Sequence, residues 1–412
     1  MTTGQLSAAF FLQMALIIIV CRLVGGAVKR WLGQPQVVGE MIAGVILGPS
    51  LLGVLAPGLE DFLFPADSRK LLYVCAQFGV GLYMFLVGLT FDRAEFRQSA
   101  RSAAAVSLGG MAAPFAAAVL LTPCLMTMPG LFLPQVSQTQ AALFLGAAIA
   151  ITAFPMLARI IHERGLGGTR LGVLSLSAGA IGDAGAWVVI ALVLSTLGDG
   201  PATAIKALGG GLVFATLMLT LAPRLLARLA PLIDGSEAGD LQLIAITLVL
   251  FLLSAWAMDA AGIHAVFGGF LLGTAMPRGQ VKDLLLARLE PFTVVFLLPI
   301  FFTYSGLNTR LQVVDSPALL LAALAVLAVS ILAKGGACYA AARLAGEKHQ
   351  TALGIGALMN ARGLMELIVI NIGLQRGVIG APLFAILVLM AIITTLLASP
   401  LYALSERKAP LG

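Results

Sequence analysis

The sequence predicts an all-α polytopic membrane protein of about thirteen transmembrane helices, and three observations lead there. Hydrophobic residues fill 60% of the 412 positions and charged residues only 11%, whereas a soluble domain of this size keeps roughly a quarter of its residues charged. Apolar stretches close to the ~20 residues needed to cross a bilayer follow one another almost from end to end. The charged residues gather between those stretches, as loop charges do.

Runs bounded by charge, Gly or Pro lie at 5–28, 36–54, 71–91, 102–124, 139–161, 171–197, 203–223, 240–258, 261–277, 292–307, 317–342, 351–374 and 380–404. The first begins without a basic leader or a small-residue cleavage site, so it reads as a retained span. The connections are short, which predicts a single membrane-embedded domain over 1–412 with no soluble regulatory domain.

The basic residues orient the spans. Odd-numbered spans end in or precede Lys29, Arg30, Arg93, Arg97, Arg101, Arg159, Arg164, Arg170, Arg224, Arg228, Arg278, Lys282, Arg288, Arg343, Lys348, Arg407 and Lys408. Even-numbered spans precede only Arg69, Lys70, Lys206, Arg310 and Arg376. By the positive-inside rule the N-terminus lies outside and the C-terminus in the cytoplasm, as in a bacterial-type inner (plasma) membrane. Arg22, Lys334 and Arg362 remain, and these fall within spans.

Several function classes are disfavoured. The net charge of +6 is spread through the loops, so no nucleic-acid surface is expected. Cys21, Cys75, Cys124 and Cys338 are scattered through apolar segments without CxxC spacing, which implies neither a disulfide framework nor a metal site. His162, His264 and His349 form no ligand pattern. No nucleophile–base pair, Walker motif or Rossmann motif is present, so the expectation is a protein that is not an enzyme, takes no cofactor and draws on an ion gradient.

A charge in hydrocarbon costs at least ~2.5–3.5 kcal/mol on insertion scales, so each intramembrane ionisable residue demands a reason. Asp183 sits mid-span in Ser175-Leu-Ser-Ala-Gly-Ala-Ile-Gly-Asp-Ala-Gly-Ala-Trp187, among small residues that leave room for water or an ion. A lone carboxylate there holds either a proton or a dehydrated cation, never both, which is the minimum chemistry of exchange. The alternative is a permanent structural salt bridge. Lys334, in Ile331-Leu-Ala-Lys-Gly-Gly-Ala-Cys338, is the natural counter-ion for Asp183; the alternative is snorkelling to the interface.

Two helix breaks are expected. Ile149-Ala-Ile-Thr-Ala-Phe-Pro-Met156 contains Pro155, which removes a backbone donor, and Thr152, a possible oxygen ligand; a simple Pro kink is the alternative. In Leu358-Met-Asn-Ala-Arg-Gly-Leu-Met-Glu-Leu367, Asn360 and Gly363 point to local unwinding, while Arg362 and Glu366 are spaced to pair and stabilise it; direct ion handling by the pair is the alternative. Glu40, opening a span after Pro35, reads as a structural acid at the positive end of a helix dipole. Spans 4–6 and 11–13 start on opposite sides by the charge pattern, the arrangement of inverted repeats whose discontinuous helices cross at the midplane.

These residues resemble the monovalent cation:proton antiporter-2 family, which includes Kef-type potassium efflux proteins and plant cation/H+ exchangers. The resemblance spans essentially the whole chain. It is carried by Gln34-Pro-Gln-Val-Val-Gly-Glu-Met-Ile-Ala-Gly-Val-Ile-Leu-Gly-Pro-Ser50, Gly262-Ile-His-Ala-Val-Phe-Gly-Gly-Phe270, Leu298-Pro-Ile-Phe-Phe-Thr-Tyr-Ser-Gly306 and Met359-Asn-Ala-Arg-Gly-Leu-Met-Glu-Leu367. It implies an inverted-repeat antiporter fold with two crossed discontinuous helices, usually a homodimer. Spans 1–3 and 7–10 would form the dimerisation domain. Spans 4–6 (about 102–197) and 11–13 (about 317–404) would form the ion-binding core. The family's ion-binding aspartate falls on Asp183, its core basic residue on Lys334, and its unwound segments on Thr152–Pro155 and Asn360–Gly363.

One departure stands out. Many relatives place Asp, Asn or Gln immediately before the aspartate, and this chain has Gly182. Thr152, Ser177, backbone carbonyls or water would then complete the shell of the cation. The expected activity is exchange of K+ or Na+ for H+ by alternating access in the lipid bilayer, one to one and electroneutral. A proton cycle on Lys334 would make it electrogenic. The rival readings are a gated potassium efflux pathway and a sodium-coupled symporter of an organic solute.

Overall fold

The structure, a computed structural model, describes residues 2–91, 93–194, 200–232, 236–307 and 316–407. Of the loop cations used to orient the chain, Arg310 and Lys408 lie outside the described residues, as does the end of the predicted span 171–197.

The described residues are helical almost throughout. The chain opens with α1 (Thr3–Leu32), α2 (Gln36–Leu47), the short α3 (Leu52–Leu55) and α4 (Pro57–Leu63), then α5 (Ala66–Thr90) and α6 (Arg93–Met126). Next come α7 (Gln138–Ala150), α8 (Phe154–Glu163), α9 (Arg170–Leu194), α10 (Gly200–Thr220) and α11 (Ala222–Leu226). They are followed by α12 (Glu237–Ala261), α13 (Ala265–Ala275), α14 (Gln280–Phe292) and α15 (Leu298–Leu307). The last are α16 (Pro317–Leu344), α17 (His349–Leu358), α18 (Leu364–Gln375) and α19 (Ala381–Arg407). Local chemistry sets many of these ends. Thr2 and Ser137 each form a capping box with Gln5 and Gln140, Ser236 and Ser316 cap α12 and α16, and Gly33 and Gly262 close α1 and α12 in the left-handed conformation.

Helices occupy each of the thirteen predicted stretches, but their lengths differ from expectation. Nine helical stretches among the described residues are long and apolar enough to cross a membrane, ten if α10 and α11, bent by 44°, count as one. The thirteen of the sequence reading are not reached by that criterion. The stretch at 261–277 holds only the eleven-residue α13, because Gly262 and the His264 cap start it late. The tenth span begins earlier than 292, since α14 starts at Gln280 and runs through a π-helical turn, Thr293–Leu297, into α15. Its charges, Lys282, Asp283, Arg288 and Glu290, hid it from an apolar-run search.

Two packing groups emerge. α6 packs on α7, α9 and α16, while α17 and α18 pack on α19 and, respectively, on α16 and α7. Separately, α2 packs on α1 and α15, and α5 on α13 and α15. In that second group the backbones nearly touch: a Cβ on Gly44 would clash with the Thr303 backbone, and one on Gly273 with Phe85. Such small-residue contacts replace the hydrophobic drive that lipid removes. α8 touches both groups, through α9 on one side and α2 and α5 on the other. The α7–α8 stretch is 94% buried, against 28% for α1, α6, α12 and α16, so it lies at the heart of the bundle.

Candidate functional site

The site is built where two interrupted helices meet. α7 stops at Ala150 and α8 restarts at Phe154; α17 stops at Leu358 and α18 restarts at Leu364. Pro155 occupies the first turn of α8, where its missing N–H is no loss, so it starts a helix rather than kinking one. The two gaps cross: Ala153 N–H donates to the Ala361 carbonyl at 3.1 Å, and Thr152 Oγ1 to the Met359 carbonyl at 3.1 Å. Both breaks expected from sequence are therefore present and in contact.

Each α7 carbonyl freed by the first break carries partial negative charge, and two cations answer it. Lys334 Nζ, from α16, donates to the Ala150 carbonyl and, at 3.4 Å, to that of Gly110 on α6. Arg362 spreads its guanidinium over the Ala148, Ile149 and Ile151 carbonyls at 3.2, 2.6 and 3.2 Å, and pairs with Glu366 at 3.3 Å. Arg362 and Glu366 are fully buried, and this pairing makes that tolerable. The sequence expectation is that the pair serves the break at Asn360–Gly363, but the guanidinium reaches the carbonyls of the other one.

The second break is held by neutral groups. Thr395 of α19 accepts from Arg362 N–H and donates to the Arg362 carbonyl, both at 2.8 Å. Asn360 Nδ2 donates to the Gly356 carbonyl at 2.8 Å, while its Oδ1 has no partner among the described residues. Gly363 passes beside Ala153, which completes the crossing.

Asp183 stands apart from these charges. It is 1% exposed, and its Oδ2 has no hydrogen-bond partner among the described residues. Its neighbours on α9 locate it: Gly179 faces Phe154 and Leu157 of α8, Gly182 faces Ser107 of α6, and Gly185 faces Met111. Gly179, one turn before Asp183 on the same face, therefore puts the carboxylate on the side of α9 that meets α8. The expected direct pairing with Lys334 does not form in this structure. Lys334 is drawn to the α7 carbonyls instead, and the α6 segment from Ser107 to Met111 lies between the two helices that carry the acid and the base. A permanent salt bridge on Asp183 likewise finds no partner among the described residues.

Two other expectations need correction. Ser177 does not share the face of Asp183: in the uninterrupted α9, six residues separate them by about 9 Å along the axis and about 240° around it. Its buried hydroxyl has no hydrogen-bond partner among the described residues. Glu40 is the fifth residue of α2, past the first turn, and 1% exposed, so a helix-dipole role does not explain it. It accepts from Gln36 at 3.2 Å, near the Arg159–Glu163 pair (2.7 Å) of α8, whose Glu163 also takes the Val37 N–H at 3.4 Å. His264 caps α13, and the described residues contain no His, Cys, Asp and Glu group suited to a metal.

A cavity of about 200 Å³ lies between α5, α8, α9 and α14, lined by Tyr83, Leu86, Ala158, His162, Leu176 and Glu290 among others. Leu176 is two turns before Asp183, on the same face of α9 and about 10 Å away along it. The cavity is on the side that carries Arg164 and Arg170, between helices of the two packing groups.

Sequence reasoning missed Thr395 and the α6 segment. The signals were there: a Thr394-Thr395 pair in the last span and Ser107-Leu-Gly-Gly110 in the fourth. Neither carries a charge, so neither stood out.

Comparison with known proteins decides the family. The model of the transmembrane sodium/hydrogen exchanger family matches residues 15–403. The chain belongs to the sodium/hydrogen exchanger family. It is 39% identical to the Na(+)/H(+) antiporter NhaS4 of Synechocystis, over 93% of this chain and 94% of that protein. It is 33% identical to Cation/H(+) antiporter 19 of Arabidopsis thaliana, over 97% of this chain, and 31% to K(+)/H(+) antiporter 1 of Saccharomyces cerevisiae, over 95%. It spans about half the length of those two, 50% and 46%. The fold matches that of the sodium proton antiporter MjNhaP1 of Methanocaldococcus jannaschii, with a TM-score of 0.65 at 15% identity over 98% of this chain and 99% of that one. The family and the crossed-helix antiporter fold expected from the sequence are those found.

Proposed function

We propose that this member of the family exchanges K+ or Na+ for H+ by alternating access, with Asp183 as the group that binds proton and cation in turn. The observation that carries the reading is a fully buried carboxylate with a free oxygen, beside two crossed helix breaks whose cations are held by backbone carbonyls and Glu366. Lys334 and Arg362 are occupied with α7 carbonyls, so an incoming cation meets an acid with no fixed counter-ion. Loss of the proton and gain of a monovalent cation leave the charge of the site unchanged, so the cycle is one to one and electroneutral.

The cavity beside Leu176 is the cytoplasmic approach, with the N-terminus outside and the C-terminus inside a bacterial-type plasma membrane. Spans 4–6 and 11–13 move as the ion-binding core against spans 1–3 and 7–10, which pair two copies into a homodimer. The sparse contacts of α8 with α2 and α5 support movement at that boundary. Apolar residues exposed on α1 and α10, such as Leu23 and Leu212, supply surface for lipid or a second copy.

Proteoliposomes carrying a pH gradient test this, with Na+, K+, Li+ and Rb+ added in parallel. The expected result is dequenching with Na+ or K+ at a rate indifferent to a clamped membrane potential. A rate that follows voltage rules out the electroneutral cycle. Cation flux that persists without a proton gradient and does not depend on Asp183 supports a channel instead.

A further inference from the structure

We propose that Ser107 of α6 is a cation ligand at the Asp183 site, supplying from a neighbouring helix the polar atom that Gly182 leaves out of α9. This rests on the reading of Asp183 as the exchange site and names the next group in its shell. Ser107 is 2% exposed, and its Oγ has no hydrogen-bond partner among the described residues. A buried helical hydroxyl ordinarily donates to the carbonyl one turn back. Thr122, on the same helix, does so to Ala118 at 2.7 Å, and Thr394 to Met390 at 2.9 Å. Ser107 does not, so its oxygen remains available.

Its placement is specific. A side chain on Gly182 would bring its Cβ within 3.2 Å of Ser107 Oγ, so the hydroxyl fills the space such a side chain would enter. Gly182 and Asp183 are adjacent, about 3.8 Å apart at Cα. One turn further along α6, the Gly110 carbonyl receives Lys334. Ser107 thus stands against the residue that precedes the acid, about 100° around α9 from it, on the helix that separates acid from base. A neutral hydroxyl oxygen is a hard donor that suits a partly dehydrated alkali cation and adds no charge to the cycle. Ser175 and Ser177 are also unpartnered, but they lie about 12 and 9 Å from Asp183 along α9.

Ser107→Ala in proteoliposomes, assayed with whichever of Na+ or K+ the wild type exchanges, is expected to raise the apparent KM for that cation about three- to tenfold, with the maximal rate within about twofold. Thr122→Ala, the same deletion at an internally bonded hydroxyl, leaves KM unchanged. In detergent without the cation, Ser107→Ala melts no lower than the wild type, while saturating cation raises its melting temperature less. Gly182→Ala presses on the Ser107 hydroxyl and also raises KM. In the Ser107→Ala background it adds nothing, because the group it displaces is gone. An unchanged KM and an unchanged cation-induced shift overturn the proposal. A KM change that tracks a lowered cation-free melting temperature overturns it too, since that is a structural role. Full exchange in Asp183→Asn sinks the underlying reading of the site; abolished exchange there with an unaffected Ser107→Ala sinks only this one.

Discussion

The two helix breaks share a backbone plan and differ in what holds them. The gap Ile151–Ala153 exposes carbonyls of α7 that are met by Lys334 and Arg362, whereas the gap Met359–Gly363 is held by Thr395, Asn360 and Thr152. A strictly symmetric repeat would place equal charge on both. Here both cations gather at one break and one acid, Glu366, pairs with one of them. Asp183, on a third helix, has no fixed partner among the described residues. The asymmetry separates two tasks that a single salt bridge would merge: holding the crossing together and handling the mobile ion.

That division predicts variants of different kinds. Asp183→Asn removes the one titrating group in the exchange, so cation-driven proton flux falls at least about a hundredfold while the protein still purifies and melts cooperatively. Flux near wild-type levels would assign exchange to another group. Arg362→Met strips the Ala148, Ile149 and Ile151 carbonyls and leaves Glu366 buried and unpaired, which is expected to cost about 3–5 kcal/mol of stability, read as a large drop in melting temperature or folded yield. Lys334→Met removes the remaining cation from the same break, a smaller loss of about 2–3 kcal/mol, because Arg362 still covers the neighbouring carbonyls. If Lys334→Met leaves exchange independent of voltage, Lys334 does not cycle its own proton. Thr395→Val tests the neutral break: it orphans the buried Arg362 N–H and should cost about 1–2 kcal/mol with little change in cation affinity. Equal losses at Arg362 and Thr395 would erase the asymmetry.

The legible parts of this protein are those written in residue type. Hydropathy placed helices at every predicted stretch, and it failed at α14 because four charges interrupt an amphipathic face that continues into α15. Pro155 and the Asn360–Gly363 run revealed the two breaks, since backbone disruption leaves a compositional mark. Partner choice was not legible. Lys334 lies nearer the α7 carbonyls than Asp183 because of how α6 threads between α9 and α16, a fact of packing that no local motif encodes. Ser177 looked suitable by proximity in sequence, yet helical geometry turns it away. Ser107 lies seventy-six positions before Asp183 and carries no charge, so only the fold brings it against Gly182, next to the acid in the chain.

The central claim, that one unpaired acid exchanges its proton for a cation, is tested most directly by counting protons. Purified protein in weakly buffered detergent is titrated with Na+ and with K+ while released protons are followed with a pH dye. The account predicts saturable release of about one proton per protomer with the transported cation, and none from Asp183→Asn. Undiminished release from Asp183→Asn, or cation binding to the wild type without proton release, would contradict it.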